Sequence, residues 1–82
     1  MIHSLKIEPE YFKLIKTNKK KFEVRKNDRN FKVGDILQLN EYDGTDFTYE
    51  SLYAKVTYIL DDENYCLNGM VIMSIELLGG FE

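Results

Sequence analysis

A single cysteine, Cys66, rules out a disulfide within the chain, whereas a domain of 82 residues outside the cell ordinarily carries several. A cytoplasmic home is the expectation. One histidine and one cysteine some sixty residues apart offer none of the spacings that zinc sites use, so no metal and no cofactor are expected. The same scarcity leaves no local signature of a Ser-His-Asp or Cys-His nucleophile, and a meeting of His3 with Cys66 in space is the remaining way to such a pair. Long apolar runs are missing as well: Met1-Ile2-His3-Ser4-Leu5-Lys6 has neither the basic segment nor the apolar core of a signal peptide, and no stretch is long enough to span a membrane. Glycine and proline together number six, which excludes collagen-like and low-complexity chains.

What is present is globular composition, 44% hydrophobic and 30% charged, in a chain of one domain's length. A domain this small buries only roughly 60 to 65% of its unfolded surface, which suits a monomer or a weak homo-oligomer. The formal net charge of -3 conceals an uneven distribution. Nine of the eleven basic residues lie between Lys13 and Lys32, where only Glu23 and Asp28 are acidic, and the remaining residues carry two lysines against twelve carboxylates. Such asymmetry concerns partners rather than fold, and it points to an anionic one.

Apolar and polar residues alternate over Ile2 to Ile7, with Leu5 and Ile7 facing a core, as in a short strand. Pro9 suits a first helical turn, and Glu8 and Glu10 complement its positive end. A helix from Pro9 to about Thr17 would bury Tyr11, Leu14 and Ile15, with Phe12 at the margin, and end near Asn18, a residue that tolerates a left-handed C-cap. Phe22 to Arg25 reads as a strand with Phe22 and Val24 on one face, assigned to the core, and Glu23 and Arg25 on the other. Lys26 to Asn30 is a polar loop whose far end is pinned by Phe31 and Val33. A Gly34-Asp35 turn leads into strands over Ile36 to Tyr42 and Phe47 to Leu60, joined by an Asp43-Gly44 hairpin turn of more than two residues. Leu52, Ala54, Val56, Tyr58 and Leu60 share a face of the long strand. A last strand, Gly69 to Leu78, turns Val71, Met73, Ile75 and Leu77 inward, and Gly79-Gly80 reads as a frayed tail. The fold class is therefore mainly β with one short helix, a small barrel of five to six strands.

The segment from Lys19 to Arg29 concentrates the chemistry. Residues two apart on a strand share a face, so Glu23 and Arg25 are placed to line a groove together, extended by Lys26 and Arg29 in the loop. The same spacing equally suits an ion pair on a solvated face. Three consecutive lysines, Lys19 to Lys21, either complement the helix dipole or form part of a phosphate-neutralising patch. Tyr11, Phe12, Phe22 and Phe31 offer stacking planes for bases, although core packing accounts for most of them. Tyr42, Tyr49 and Tyr53 surround the hairpin as rim residues. Asp61-Asp62-Glu63 lacks the spacing of a calcium loop and reads as a solvated turn.

Asn18-Lys19-Lys20-Lys21-Phe22-Glu23-Val24-Arg25 resembles the Gly-x-Lys-x-x-Glu-x-Arg signature of the ASCH (activating signal cointegrator homology) domains, with Lys20, Glu23 and Arg25 matching and Asn18 in the glycine position. His3-Ser4-Leu5-Lys6-Ile7, Pro9-Glu10-Tyr11-Phe12, Arg25 to Arg29 and Val33-Gly34-Asp35 are similar to a small, functionally unassigned bacterial and phage branch of that group. The resemblance spans nearly the whole chain, most specifically residues 3 to 42. It implies a PUA-like β-barrel with the signature lining a cleft between helix and barrel, and a role in binding RNA or a nucleotide. Lys20, Glu23 and Arg25 are the binding residues that this resemblance implies; Lys26 and Arg29 of the following basic loop, and Lys6 on the face of the first strand opposite Leu5, are expected to join them. Some compact members of the group are amidohydrolases of N4-acetylcytidine that use a lysine and a threonine of the signature with a distant glutamate. Lys20 matches that lysine, but Glu23 occupies the threonine position, so the nucleophile is missing. Binding therefore ranks above catalysis, with Lys20 and Glu23 as the catalytic pair of the alternative.

Overall fold

The computed structural model describes residues 1–79. Six elements follow in chain order: β1 (Ile2–Ile7), α1 (Pro9–Lys16), β2 (Phe22–Lys26), β3 (Ile36–Tyr42), β4 (Phe47–Leu60) and β5 (Met70–Gly79). The strands form one sheet in the order β1-β3-β4-β5-β2, curled into a half-barrel. β1 runs parallel to β3, and the other neighbouring pairs are antiparallel. The mainly β class with a single short helix is as expected. The barrel, however, is not closed by backbone pairing. β1 and β2 are the two edges, and the gap between them is the feature from which the site is built.

Period two sets the core. Leu5 and Ile7 of β1, Leu37 and Leu39 of β3, Leu52, Ala54 and Val56 of β4, and Val71, Met73 and Ile75 of β5 are all buried. Truncating a fully buried member such as Leu39 or Leu52 costs about 2–5 kcal/mol, a large part of the stability of a domain this size. Between Val56 and Tyr58 the register of β4 against β5 shifts, and the strand's inward face moves with it. Ile59 thus packs on the core while Tyr58, expected inside, is exposed. Leu77 is partly buried, and Gly79 pairs with Tyr53 inside β5 rather than fraying; Gly80 lies outside the described residues.

α1 turns Phe12 and Ile15 into the core, three apart on one face. Tyr11, expected in that stripe, is 40% exposed, and Leu14 is only partly covered. The helix ends as its sequence requires: Asn18 takes φ 62°, its N–H reaches the Ile15 carbonyl, and the Lys19 N–H reaches Leu14. This double bond back to the last turn around a left-handed residue is the Schellman arrangement. Phe31 is buried where it was expected to pin the loop, but Val33 is 60% exposed on the turn before Gly34.

The faces of β2 are the reverse of the hydrophobic expectation. Glu23 pairs across with Met73 and Arg25 with Val71, and directly opposed residues share a face, so the charged pair points inward. Glu23 is 3% exposed, whereas Phe22 and Val24, opposite Ser74 and Ile72 on the outer face, are 45% and 47% exposed. β2 is an edge strand, and its inward face, opposite Met73 and Val71, borders the gap beside β1.

Candidate functional site

The Schellman turn delivers Lys20 to the start of β2, three residues before Glu23. Lys20 Nζ donates to Glu23 Oε1 at 2.8 Å and to the Phe22 carbonyl at 2.7 Å. From the other side Arg25 Nε donates to Glu23 Oε2 at 2.7 Å. Each oxygen of a buried carboxylate is therefore held by a different cation, the arrangement that makes burial of charge tolerable. Two of the three N–H groups of Lys20 and, counting the bond described next, two of the five of Arg25 are committed, which leaves one and three for a ligand.

Arg25 also spans the gap. Its Nη2 donates to the Lys6 carbonyl at 2.8 Å, and Arg29 Nη1 donates to the Ser4 carbonyl at 2.9 Å. Ser4 and Lys6 are two apart on the free edge of β1, so a pair of guanidiniums satisfies carbonyls that a neighbouring strand would otherwise take.

Lys6, Glu8, Tyr11, Lys20, Glu23 and Arg25 line a cleft of about 430 Å³ between α1, β1 and β2, with Phe22 and Val24 at its margin. Lys20 Nζ lies 5.2 Å from the centroid of the Tyr11 ring and 4.7 Å from that of Phe22. On the far side, Lys6 Nζ sits 4.4 Å from the Tyr42 ring and 5.7 Å from the Phe47 ring, and it makes no ion pair among the described residues. The structure thus brings together Lys6, Lys20, Glu23 and Arg25. Arg29 borders an adjoining depression instead, and Lys26, opposite Met70 on the outer face of β2, borders neither. Charge density alone mislocates the site, since most lysines of the basic window are exposed outside the cleft while Lys6, from outside the window, is in it. Phe47 was not singled out from the sequence; its register opposite Tyr42 across the hairpin is the signal that finds it.

The lone histidine has a structural partner. His3 Nε2 lies 2.8 Å from Asp35 Oδ2, with the ring edge-on to Phe31 at 4.8 Å, and no pairing with Cys66 occurs. Cys66 instead lies with its Sγ 3.3 Å from the Leu60 carbonyl. The bond from His3 is the main influence holding the Asp35 carboxyl below its ordinary value; burial works against it, and the Lys32 N–H and the Met1 amino group assist. Among the described residues no group of His, Cys, Asp and Glu could hold a metal ion, and no helix is long and apolar enough to cross a membrane.

Residues 2–75 match the family model described as Domain of unknown function (DUF3850), and the chain belongs to that family. It is 40% identical over 60 residues to the uncharacterised 12.9 kDa protein of the GpA 3′ region of Escherichia phage P2; the match covers 73% of this chain and 55% of the phage protein, about half its length. The crystal structure of hypothetical protein PH0355 shares the fold, with a TM-score of 0.63 and 24% identity over 95% of this chain and 100% of that one.

Proposed function

We propose that this DUF3850 chain is a PUA-like module of the ASCH kind that binds RNA or a nucleotide in the cleft around Lys20, Glu23 and Arg25. The observation that carries the reading is the composition of that cleft. Lys20 and Arg25 neutralise one buried carboxylate between them and keep spare donors, Lys6 adds a cation with no ion pair among the described residues, and the half-exposed rings of Tyr11 and Phe22 flank them. Cations meet phosphates, the rings take a base face, and a volume of about 430 Å³ suits one nucleotide. Glu23 serves as the fixed anion that orients both cations. Such a ligand is met in the cytoplasm. Titration against short single-stranded RNA at two salt concentrations tests the reading: affinity should fall steeply with salt, and salt-insensitive binding, or none at low salt, overturns it.

The 2.8 Å contact between Lys20 and Glu23 favours one second reading, a small amidohydrolase of a modified nucleoside such as N4-acetylcytidine. Against it, both oxygens of Glu23 are already engaged, so taking a substrate proton requires breaking an ion pair. Turnover of acetylated cytidine that is lost in Lys20→Ala and Glu23→Gln would establish this reading in place of the first.

A further inference from the structure

Beside the cleft lies a second depression of about 350 Å³, bordered by Lys6, Arg25, Arg29, Asn40 and Phe47. Among the described residues, three cations and no carboxylate face it. Lys6 and Arg25 border both spaces, so they form the ridge between them. The rings lie to either side of this ridge: Tyr11 and Phe22, 40% and 45% exposed, belong to the cleft, and Phe47, 42% exposed, belongs to the depression. Phe47 is held edge-on to Tyr42 at 5.0 Å, and Asn40 is fixed by bonds to Ser4 and Ser51. A ring and an oriented amide on one side of a cationic ridge, with two rings on the other, form a surface with two base positions and one anion position.

We propose that the phosphodiester of a single-stranded RNA crosses the ridge of Lys6 and Arg25, with Arg29 beside it, while its two flanking bases occupy the two spaces, so that the unit recognised is a dinucleotide step. The inference rests on the RNA reading above and adds the length and strandedness of the ligand. Guanidinium forks match phosphate oxygens, and the spare donors of Arg25 and Arg29 are available for them without loss of their bonds to β1. A duplex keeps neighbouring bases stacked on each other, and only an unpaired strand can splay two of them to opposite sides of a ridge. A free mononucleotide fills one space and leaves the other empty.

The test compares the four 5′-mononucleotides with ApA, CpC, GpG and UpU by NMR titration of the intact chain. A dinucleoside monophosphate carries less charge than a mononucleotide, so any gain reports the second base rather than electrostatics. At least one dinucleotide should bind roughly 5- to 100-fold more tightly than its mononucleotide, with shifts at Asn40 and Phe47 as well as in the cleft. In Phe47→Ala, a change on an exposed hairpin, the ratio should fall to near one, and Arg29→Ala should weaken the dinucleotide. A ratio near one for all four pairs in the unaltered protein, or shifts confined to the cleft, overturns the dinucleotide step while leaving the RNA reading standing. If no mononucleotide, no dinucleotide and none of the short single-stranded RNAs that test the RNA reading binds at low salt, both fall together.

Discussion

The guanidinium of Arg25 reaches the backbone carbonyl of Lys6 at 2.8 Å, tying together two edge strands that share no backbone pairing. Arg29 repeats the device one step along β1 at Ser4. Lysine in place of Arg25 keeps the charge but cannot hold Glu23 and the Lys6 carbonyl with one planar fork. Arg25→Lys should therefore lower stability by about 1–2 kcal/mol, a fall in Tm of roughly 5–15 °C, and speed amide exchange in β1. Exchange unchanged in β1 would mean the sheet holds that edge without the arginines.

Glu23 is the most exposed to failure of the charged residues because it is the most buried. Its side chain is 4% exposed, against 13% for Lys20 and 23% for Arg25. Removing it leaves two partly buried cations facing each other. The loss in Glu23→Ala should fall between that of an exposed ion pair and a fully buried one, about 2–3 kcal/mol by urea unfolding. Lys20→Met combined with Glu23→Gln should cost less than the two single changes added, since the contact between Lys20 and Glu23 is lost in each single change but only once in the double.

That pair also marks what the sequence could and could not disclose. β3 and β4 begin and end where their apolar alternation and the Asp43-Gly44 loop indicate, because turn chemistry and period two are local. Which face of β2 points inward is not local: the alternation is plain, but assigning Phe22 and Val24 to the core takes hydrophobicity as the only guide, whereas the inward face carries Glu23 and Arg25, which lie across from Met73 and Val71 at the gap beside β1. The break in β4 after Val56 and the bond between His3 and Asp35, 32 residues apart, depend on contacts with no local signal. Lys20, Glu23 and Arg25 were legible as a set because one short segment carries all three; Phe47 was not, since it comes beside Tyr42 and Lys6 only by hairpin register.

Asn18 offers a direct reading of backbone strain. At φ 62° it occupies the region that side chains with a Cβ resist, and glycine does not. Asn18→Ala should destabilise by about 1 kcal/mol, while Asn18→Gly should leave stability within about 0.5 kcal/mol or raise it. Equal losses in both variants would show that the asparagine side chain, rather than the backbone angle, matters there.

The acid limb of stability should depend on Asp35. Its carboxyl binds a proton less readily in the folded chain than the ordinary value of 3.8, chiefly because His3 donates to it. A lowered folded value means that the stabilisation is whole at pH above 3.8 and is lost as pH falls through the lower folded value. Urea midpoints measured from about pH 6 down to about pH 2 should decline less steeply in Asp35→Asn than in the unaltered protein. Parallel declines would mean that the bond to His3 contributes nothing to the acid response.

Lys6 and Lys26 carry the same charge and differ in place. Lys6 borders both the cleft and the depression, whereas Lys26 faces outward from β2 and borders neither. If affinity for single-stranded RNA comes from phosphates lying on the ridge, each lost contact lowers the slope of log K against log salt by about 0.7. Lys6→Ala should show that loss together with weaker binding at every salt concentration. Lys26→Ala should retain nearly the full slope, because a lysine on the outer face adds only long-range attraction, screened beyond about 10 Å at 0.1 M salt. Equal effects of the two changes would mean that RNA answers to the charge of the whole basic segment, and the cleft would lose its claim to be the binding site.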